Sequence, residues 1–226
     1  MKSISSFGLA FLAGMAIFAG LPLFGWGLGD VTGFLANPAR VTFLVLISLL
    51  QIFALIYNPQ VGRQQEDRKT GLPEHKLDLI LIQIFSLAIV FLAPFFDRRA
   101  IGVLEFGNIF RFAGFGLIIP GFVLMQMAAK HLVGQFSIQV RLQAGHRLIQ
   151  SGPYKWLRHP RYLGILLFFL GISMVFRSGL AILCALALFG VLVWRVLAEE
   201  SLLQQEFGTD WEEYRARSWR IIPFLF

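Results

Sequence analysis

Long apolar runs broken by short polar stretches set the pattern of this chain. Residues 3–26, 41–57, 77–96 and 109–129 each approach the roughly 20 mostly apolar residues that a helix needs to cross a bilayer, with Gly, Pro, Asn and charged residues at their flanks. Lys2 before the first run is the arrangement of a signal peptide, but the run is too long for one and no small-x-small cleavage site follows, so a retained span is expected. Beyond Ala129 the pattern changes. Residues 130–158 hold Gln, Gly, Ser and ionisable groups and do not read as a span. Weak alternation over 137–141 and a short stretch at 146–149 leave room for a small hairpin or an ordered loop.

Pro160 stands where helices like to begin. Residues 162–176 are apolar but few, Arg177-Ser178-Gly179 is a turn signal, and 178–198 is a full-length span. The two read as a helical hairpin inside the membrane. After Glu199-Glu200, Leu203, Phe207, Trp211 and Tyr214 recur at helical intervals, faced by Glu206, Glu212, Glu213 and Arg215. A helix of that kind lies in the interface or covers a site from the aqueous side. The pattern therefore predicts an all-α integral membrane protein with about six transmembrane segments, the last two a hairpin. A C-terminal amphipathic helix and a small cytoplasmic loop region complete it. Residues 1–129 form a scaffold of four spans, and residues 130–226 hold the polar chemistry.

Composition supports that class. The chain is 57% hydrophobic and 15% charged, against about 25% charged in soluble domains, which excludes a soluble fold and disorder alike. A single Cys184 excludes a disulfide framework within the chain, and four histidines without clustered carboxylates make no metal site. The net charge is +7. With six crossings, Arg40, Arg98, Arg99, Arg111 and Arg177 fall on one side and the other 15 basic residues on the opposite side. The positive-inside rule then puts both termini and the polar segment in the cytoplasm, and accounts for the charge without nucleic acid.

Arg195 breaks an apolar span four residues before Glu199, on the same helical face. An arginine at the bilayer centre costs about 2.5–3.5 kcal/mol on insertion scales. Either it snorkels to the headgroups, or it forms a buried pair with Glu199 that reaches a cavity. A second cluster, residues 151–164, sets a Gly-Pro turn, Tyr154, Tyr162 and an Arg158-His159-Pro160 helix start directly before a span. Such residues also serve as interface anchors. His146 and His159 are ambiguous singly, while His75 and His131 read as interfacial. Glycines at 25–33 and 114–121 ease helix packing. No nucleotide-loop, dinucleotide or Ser-His-Asp signature is present. The residues alone indicate a cytoplasmic-side polar site built from 139–162, Arg195 and Glu199.

An ordered series of motifs carries a resemblance. It comprises Gly-His-x-Leu-Ile at 145–149, Ser-Gly-Pro-Tyr at 151–154 and Arg-His-Pro-x-Tyr-x-Gly at 158–164. Glu-Glu at 199–200, Phe-Gly-x-x-Trp-x-x-Tyr at 207–214 and Arg-Ile-Ile-Pro at 220–223 follow. Over residues 134–223 the chain resembles the isoprenylcysteine carboxyl methyltransferase (ICMT) family and its bacterial and phospholipid-methyltransferase relatives, while the first four spans match only in being hydrophobic.

The resemblance implies a membrane-embedded methyltransferase dependent on S-adenosyl-L-methionine. Gln139, His146, Arg147, Leu148, Ile149, Tyr154, His159, Pro160, Arg161, Tyr162 and Glu199 would hold the cofactor, with 147–149 and 161 acting through backbone groups. Arg195 would contact the substrate carboxylate, with Arg158 and Tyr162 beside it as catalytic candidates. Methyl transfer from a sulfonium is an in-line displacement that needs alignment more than proton transfer. A carboxylate acceptor is already ionised at neutral pH and needs a cation, which Arg195 can supply bidentately. Tyr154, Tyr162 and Trp156 offer aromatic surfaces.

The implied partners are a lipophilic small molecule or lipid-modified substrate and membrane lipids, with no nucleic acid. The leading expectation is carboxyl O-methylation of a prenylcysteine-like acceptor. Phospholipid amine N-methylation and small-thiol S-methylation are alternatives, followed by a sterol-reductase-like NADPH enzyme. A lipid scaffold without activity is the non-enzymatic reading.

Overall fold

The computed structural model describes residues 2–57, 76–132 and 148–225. Its helices are α1 (Lys2–Met15), α2 (Leu21–Trp26), α3 (Val31–Leu35), α4 (Pro38–Tyr57), α5 (Lys76–Arg99), α6 (Gly107–His131), α7 (Pro160–Val175) and α8 (Gly179–Ala216). Among the described residues there is no extended strand, only isolated bridges at Val103–Ser178 and Leu157–Trp219. The expected hairpin over 137–141 and 146–149 falls almost wholly outside the described residues; Leu148 and Ile149 have no regular structure.

Among the described residues, five stretches are long and apolar enough to cross a membrane: Gly8–Trp26, Pro38–Tyr57, Leu77–Arg99, Gly107–His131 and Gly179–Ala216. The expected sixth, α7, has 16 residues, fewer than the roughly 20 of a typical span, yet it runs back along α6 to the turn that precedes α8. The first span is also not a single α-helix. It passes through a π-helical turn at Ala16–Gly20 before α2 resumes with Pro22 in its first turn.

Glycine makes α7 fit. A Cβ on Gly114 would meet the Gly171 carbonyl oxygen at 2.6 Å, and one on Gly121 would meet that of Gly164 at 2.8 Å. The reverse contacts, at Gly171 and Gly164, would be 2.5 and 2.6 Å. Both pairs are seven residues apart, so they lie on one face of each helix and let the α6 and α7 backbones touch. Without a hydrophobic drive between helices in lipid, such close packing holds them together.

The expected C-terminal amphipathic stretch does not begin at a break after Glu199-Glu200. Charge alone does not end an α-helix, and α8 runs through Glu199-Glu200 for 38 residues, far more than a bilayer accommodates. It breaks only at Gly208 (φ 48°, ψ −116°), a backbone conformation that glycine tolerates. Beyond the break Trp211 and Tyr214 are buried, while Leu203 and Phe207 are half-buried.

The helices meet at two ends. At the distal end the α7–α8 turn joins the α5–α6 link: Leu104 N–H donates to the Arg177 carbonyl at 2.8 Å and Gly179 N–H to that of Gly102 at 2.9 Å. At the opposite end the chain after α8 runs beside residues 156–159. Trp219 N–H donates to the Trp156 carbonyl at 2.9 Å, Arg158 N–H to that of Trp219 at 2.8 Å and His159 N–H to that of Arg220 at 3.0 Å. Phe34, Phe43, Ile118, Ile172, Phe176, Leu188 and Leu192 fill the interior between the ends, whereas Leu9, Leu49, Ile109 and Leu183 face outward as lipid-contacting side chains would.

Candidate active site

Four elements converge at the C-terminal end of the molecule: the first turn of α5, the segment before α7, the first turn of α7, and the stretch of α8 around residues 195–200. Pro160 opens α7 and His159 stands immediately before it, with no side-chain cap to the helix. The imidazole instead lies between two carboxylates, Nδ1 at 3.6 Å from Glu199 Oε2 and Nε2 at 3.3 Å from Glu200 Oε1. One turn on, the Tyr162 ring stacks on the His159 ring at 5.7 Å. Its hydroxyl donates to Glu199 Oε1 at 2.5 Å and accepts from Arg195 Nε at 2.7 Å.

Arg195 therefore does not snorkel. Its Nε is 2.9 Å from Glu199 Oε1, and its Nη1 donates to Asp78 Oδ2 at 2.7 Å. The side chains of Asp78 and Arg195 are 4% and 6% exposed, while that of Glu199 is 20% exposed. Of the two carboxylates, Glu199 is thus the one an incoming group can reach. An intramembrane ion pair of this kind marks a functional site by default.

Glu200 anchors a second layer, one helical step round α8. It takes Arg158 Nε on Oε1 at 2.7 Å and Arg220 Nε on Oε2 at 2.9 Å. Arg158 Nη1 also donates to the Arg215 carbonyl at 3.2 Å and to that of Ser218. Arg158 thereby joins α7, α8 and the C-terminal segment and turns its charge onto Glu200.

Arg158, His159, Pro160, Tyr162, Arg195 and Glu199 are brought together as a group. Tyr154 is buried in the turn Gly152–Lys155, where its carbonyl accepts the Tyr214 hydroxyl at 2.7 Å. Burial pushes the Tyr154 phenol well above its usual pKa, so it stays neutral. Arg161 is half-buried in the first turn of α7, and Leu148 and Ile149 are half-buried beside the Gly152 turn. Gln139, His146 and Arg147 lie outside the described residues. Trp156 is 58% exposed, with the Lys155 ammonium 5.7 Å from its ring.

Asp78, Glu200 and Arg220 were not foreseen as site residues. Glu200 was visible as half of Glu-Glu, and Arg220 as the start of Arg-Ile-Ile-Pro. For Asp78 the signal was an acidic residue inside the first turn of an apolar run, at the membrane level where Arg195 needs a partner. Among the described residues, no group of three or more His, Cys, Asp and Glu side chains is placed to hold a metal ion.

Residues 109–210 match the model of a family described as phospholipid methyltransferase. A 119-residue stretch is 31% identical to protein-S-isoprenylcysteine O-methyltransferase B of Arabidopsis thaliana, covering 50% of this chain and 58% of that protein. A 121-residue stretch is 28% identical to the probable protein-S-isoprenylcysteine O-methyltransferase of Oryza sativa subsp. indica, covering 50% and 61%. The aligned stretches take in less than two thirds of either relative.

Across 99% of its length the chain superposes on 83% of the eukaryotic intramembrane Ras methyltransferase ICMT, with a TM-score of 0.57 and 21% identity. The class of protein is thus an all-helical membrane fold of the ICMT kind, and the resemblance read from the motifs is the one these comparisons return. The family match begins inside α6, earlier than the motifs, so the fourth run shares more than hydrophobicity.

Proposed function

We propose that the protein is an integral membrane methyltransferase that uses S-adenosyl-L-methionine and methylates the carboxylate of a lipophilic, prenylcysteine-like acceptor. The observation that carries this reading is the linked set Asp78–Arg195–Tyr162–Glu199, buried at Asp78 and Arg195 and half-buried at Tyr162 and Glu199. The sequence and fold likenesses to isoprenylcysteine methyltransferases support it.

The donor set fits a cofactor with a sulfonium, an ammonium and ribose hydroxyls. Glu199 is a reachable carboxylate whose Oε1 is held by Tyr162 and Arg195, with the stacked His159 and Tyr162 rings alongside. Tyr154 and the first turn of α7 complete the lining that would hold it. When bound, S-adenosyl-L-methionine supplies an electrophilic methyl on a positive sulfur. The protein's own part is positional. Tyr162 and Arg195 fix the Glu199 carboxylate in one orientation, Arg158 and Arg220 hold Glu200 and through it the His159 ring, and the segment after Gly208 shields Tyr154 and Leu157 from water. A dry setting strengthens each of these charge interactions.

Arg195 is the acceptor's cation. Because Asp78 already engages Nη1, an incoming carboxylate must share the guanidinium with Asp78 or displace it. That same carboxylate favours a second reading, methylation of a phospholipid amine, in which a base takes up the amine proton. The family matched by residues 109–210 carries a phospholipid name. We place the site end and both chain termini in the cytoplasm, from the distribution of Lys and Arg.

The test is transfer of labelled methyl from S-adenosyl-L-methionine by the purified protein in membranes offered a prenylcysteine and phospholipids together. Label in the prenylcysteine ester is the expected result, and label in phospholipid alone selects the second reading. Label in neither fraction, with no binding of S-adenosylhomocysteine by calorimetry, overturns the proposal.

A further inference from the structure

The distal end carries a charge cluster that methyl transfer does not use. Asp97, in the last turn of α5, has a side chain only 1% exposed. Three guanidinium groups converge on it. Arg111 grips it with both terminal nitrogens, Nη2 at 2.7 Å from Oδ1 and Nη1 at 2.9 Å from Oδ2. Arg40 Nη1 donates to Oδ2 at 3.1 Å, and Arg177 Nη2 reaches Oδ1 at 3.4 Å. One negative charge therefore faces three positive ones.

Neutral groups absorb part of the excess but carry no net charge. Arg40 donates to the Phe34 and Gly33 carbonyls at 3.1 and 3.2 Å and lies over the Trp26 ring at 4.1 Å. Arg111 donates to the Val175 carbonyl at 2.6 Å.

Arg177 is held differently. It has the longest contact with Asp97, and its Nε is buried with no hydrogen-bond partner among the described residues. Its side chain is 26% exposed, against 10% for Arg40 and 3% for Arg111, so it connects the cluster to the surface. Its backbone is at φ 50°, a conformation that a glycine would adopt with less strain. The turn thus retains an arginine where the backbone alone prefers glycine. The cluster also sits near the ends of α4, α5 and α6, where the apolar runs stop and the headgroups of a bilayer would lie.

From this geometry we propose that Arg177, backed by Arg40 and Arg111, binds a phosphate-bearing anion at the distal end, supplied by the headgroup of a membrane lipid. Guanidinium is the side chain best matched to phosphate oxygens, and an anion there offsets the excess charge that Asp97 leaves. The site lies at the opposite end from Glu199 and does not depend on the methyltransferase reading.

The test is thermal unfolding of the full chain in uncharged detergent, followed by tryptophan fluorescence, with phosphatidylglycerol, phosphatidylcholine or inorganic phosphate added. Phosphatidylglycerol is expected to raise the wild-type Tm by roughly 5 °C at saturation. Phosphatidylcholine, whose phosphate is covered by its own cation, is expected to do less. Arg177→Gln should lose more than half of the shift. Arg177→Lys, which keeps the charge without the Nε, should lose part of it and carries the test if the glutamine variant fails to fold. Arg99→Gln, exposed at the same end and outside the cluster, should lose none. An equal shift from inorganic phosphate keeps the phosphate site and assigns it to a free anion. Equal shifts in wild type and both Arg177 variants, or no shift with any anion, overturn the proposal and leave the cluster a structural staple.

Discussion

The two ends of the molecule handle buried charge in opposite ways. At the site end, among the described residues, Asp78, Glu199 and Glu200 meet Arg195, Arg158 and Arg220, three against three: Asp78 and Glu199 share Arg195, and Glu200 takes Arg158 and Arg220. At the distal end a lone Asp97 gathers Arg40, Arg111 and Arg177. A matched set can leave one member, Glu199, reachable without stranding a buried charge. The distal set has no such slack, because everything there hangs on one carboxylate. It joins α4, α5, α6 and the α7–α8 turn, so it acts first on stability, whereas the site end acts first on ligands.

The largest expected effect breaks the distal set. Asp97→Asn leaves three guanidiniums without their carboxylate, and uncompensated buried charge costs about 3–5 kcal/mol. The variant should accumulate poorly and unfold at a much lower temperature, while molecules that remain folded bind S-adenosylhomocysteine with unchanged affinity. Loss of that affinity in the folded fraction would merge the two ends into one functional unit and end the contrast.

Next is Glu199→Gln. The amide keeps an oxygen for Tyr162 and Arg195 and loses only the charge. Turnover should fall about a hundredfold, equivalent to about 2.7 kcal/mol, with donor affinity reduced and Tm lowered far less than by Asp97→Asn. A variant as unstable as Asp97→Asn, with normal donor affinity, would make Glu199 a structural residue.

Asp78→Asn gives a smaller, more informative change. If the acceptor is a carboxylate, the freed Arg195 should hold it more tightly, so acceptor KM falls severalfold with little change in kcat. For an amine acceptor, losing the base lowers kcat instead. Unaltered KM and kcat for both acceptor classes would remove Asp78 from the site.

Much of this was legible in the sequence because it is local. The 158–162 motif shares one helix start, Arg195 and Glu199 share one helix face, and the glycines at 114–121 mark a stretch of close helix packing. Asp78 and Asp97 were not legible. Each occupies a terminal turn of α5, where a carboxylate reads as an interfacial charge, and their arginine partners lie up to 117 residues away in the chain. Which arginine meets which aspartate depends on how α5 leans against its neighbours, and hydropathy contains no record of that. The end of α8 was misplaced for a related reason. The apolar run stops at Ala198, but α8 continues past it, kinks at Gly208 and ends at Ala216.

The smallest effect sharpens the contrast within the site end. Tyr214 is buried, its hydroxyl donates to the Tyr154 carbonyl at 2.7 Å, and its ring packs edge-on against Trp211 at 5.7 Å. Tyr214→Phe keeps the ring contact and removes one hydrogen bond, leaving a buried carbonyl short of a donor. The expected cost is about 1 kcal/mol, or a Tm lower by roughly 2–4 °C. Because this bond ties the segment after Gly208 to the turn that carries Tyr154, the kinetic change should be a severalfold rise in donor KM with kcat nearly unchanged. A matched charge set whose cover is loosened should bind less tightly and still react. A fall in kcat with unchanged KM would mean instead that the C-terminal segment aligns the reacting groups.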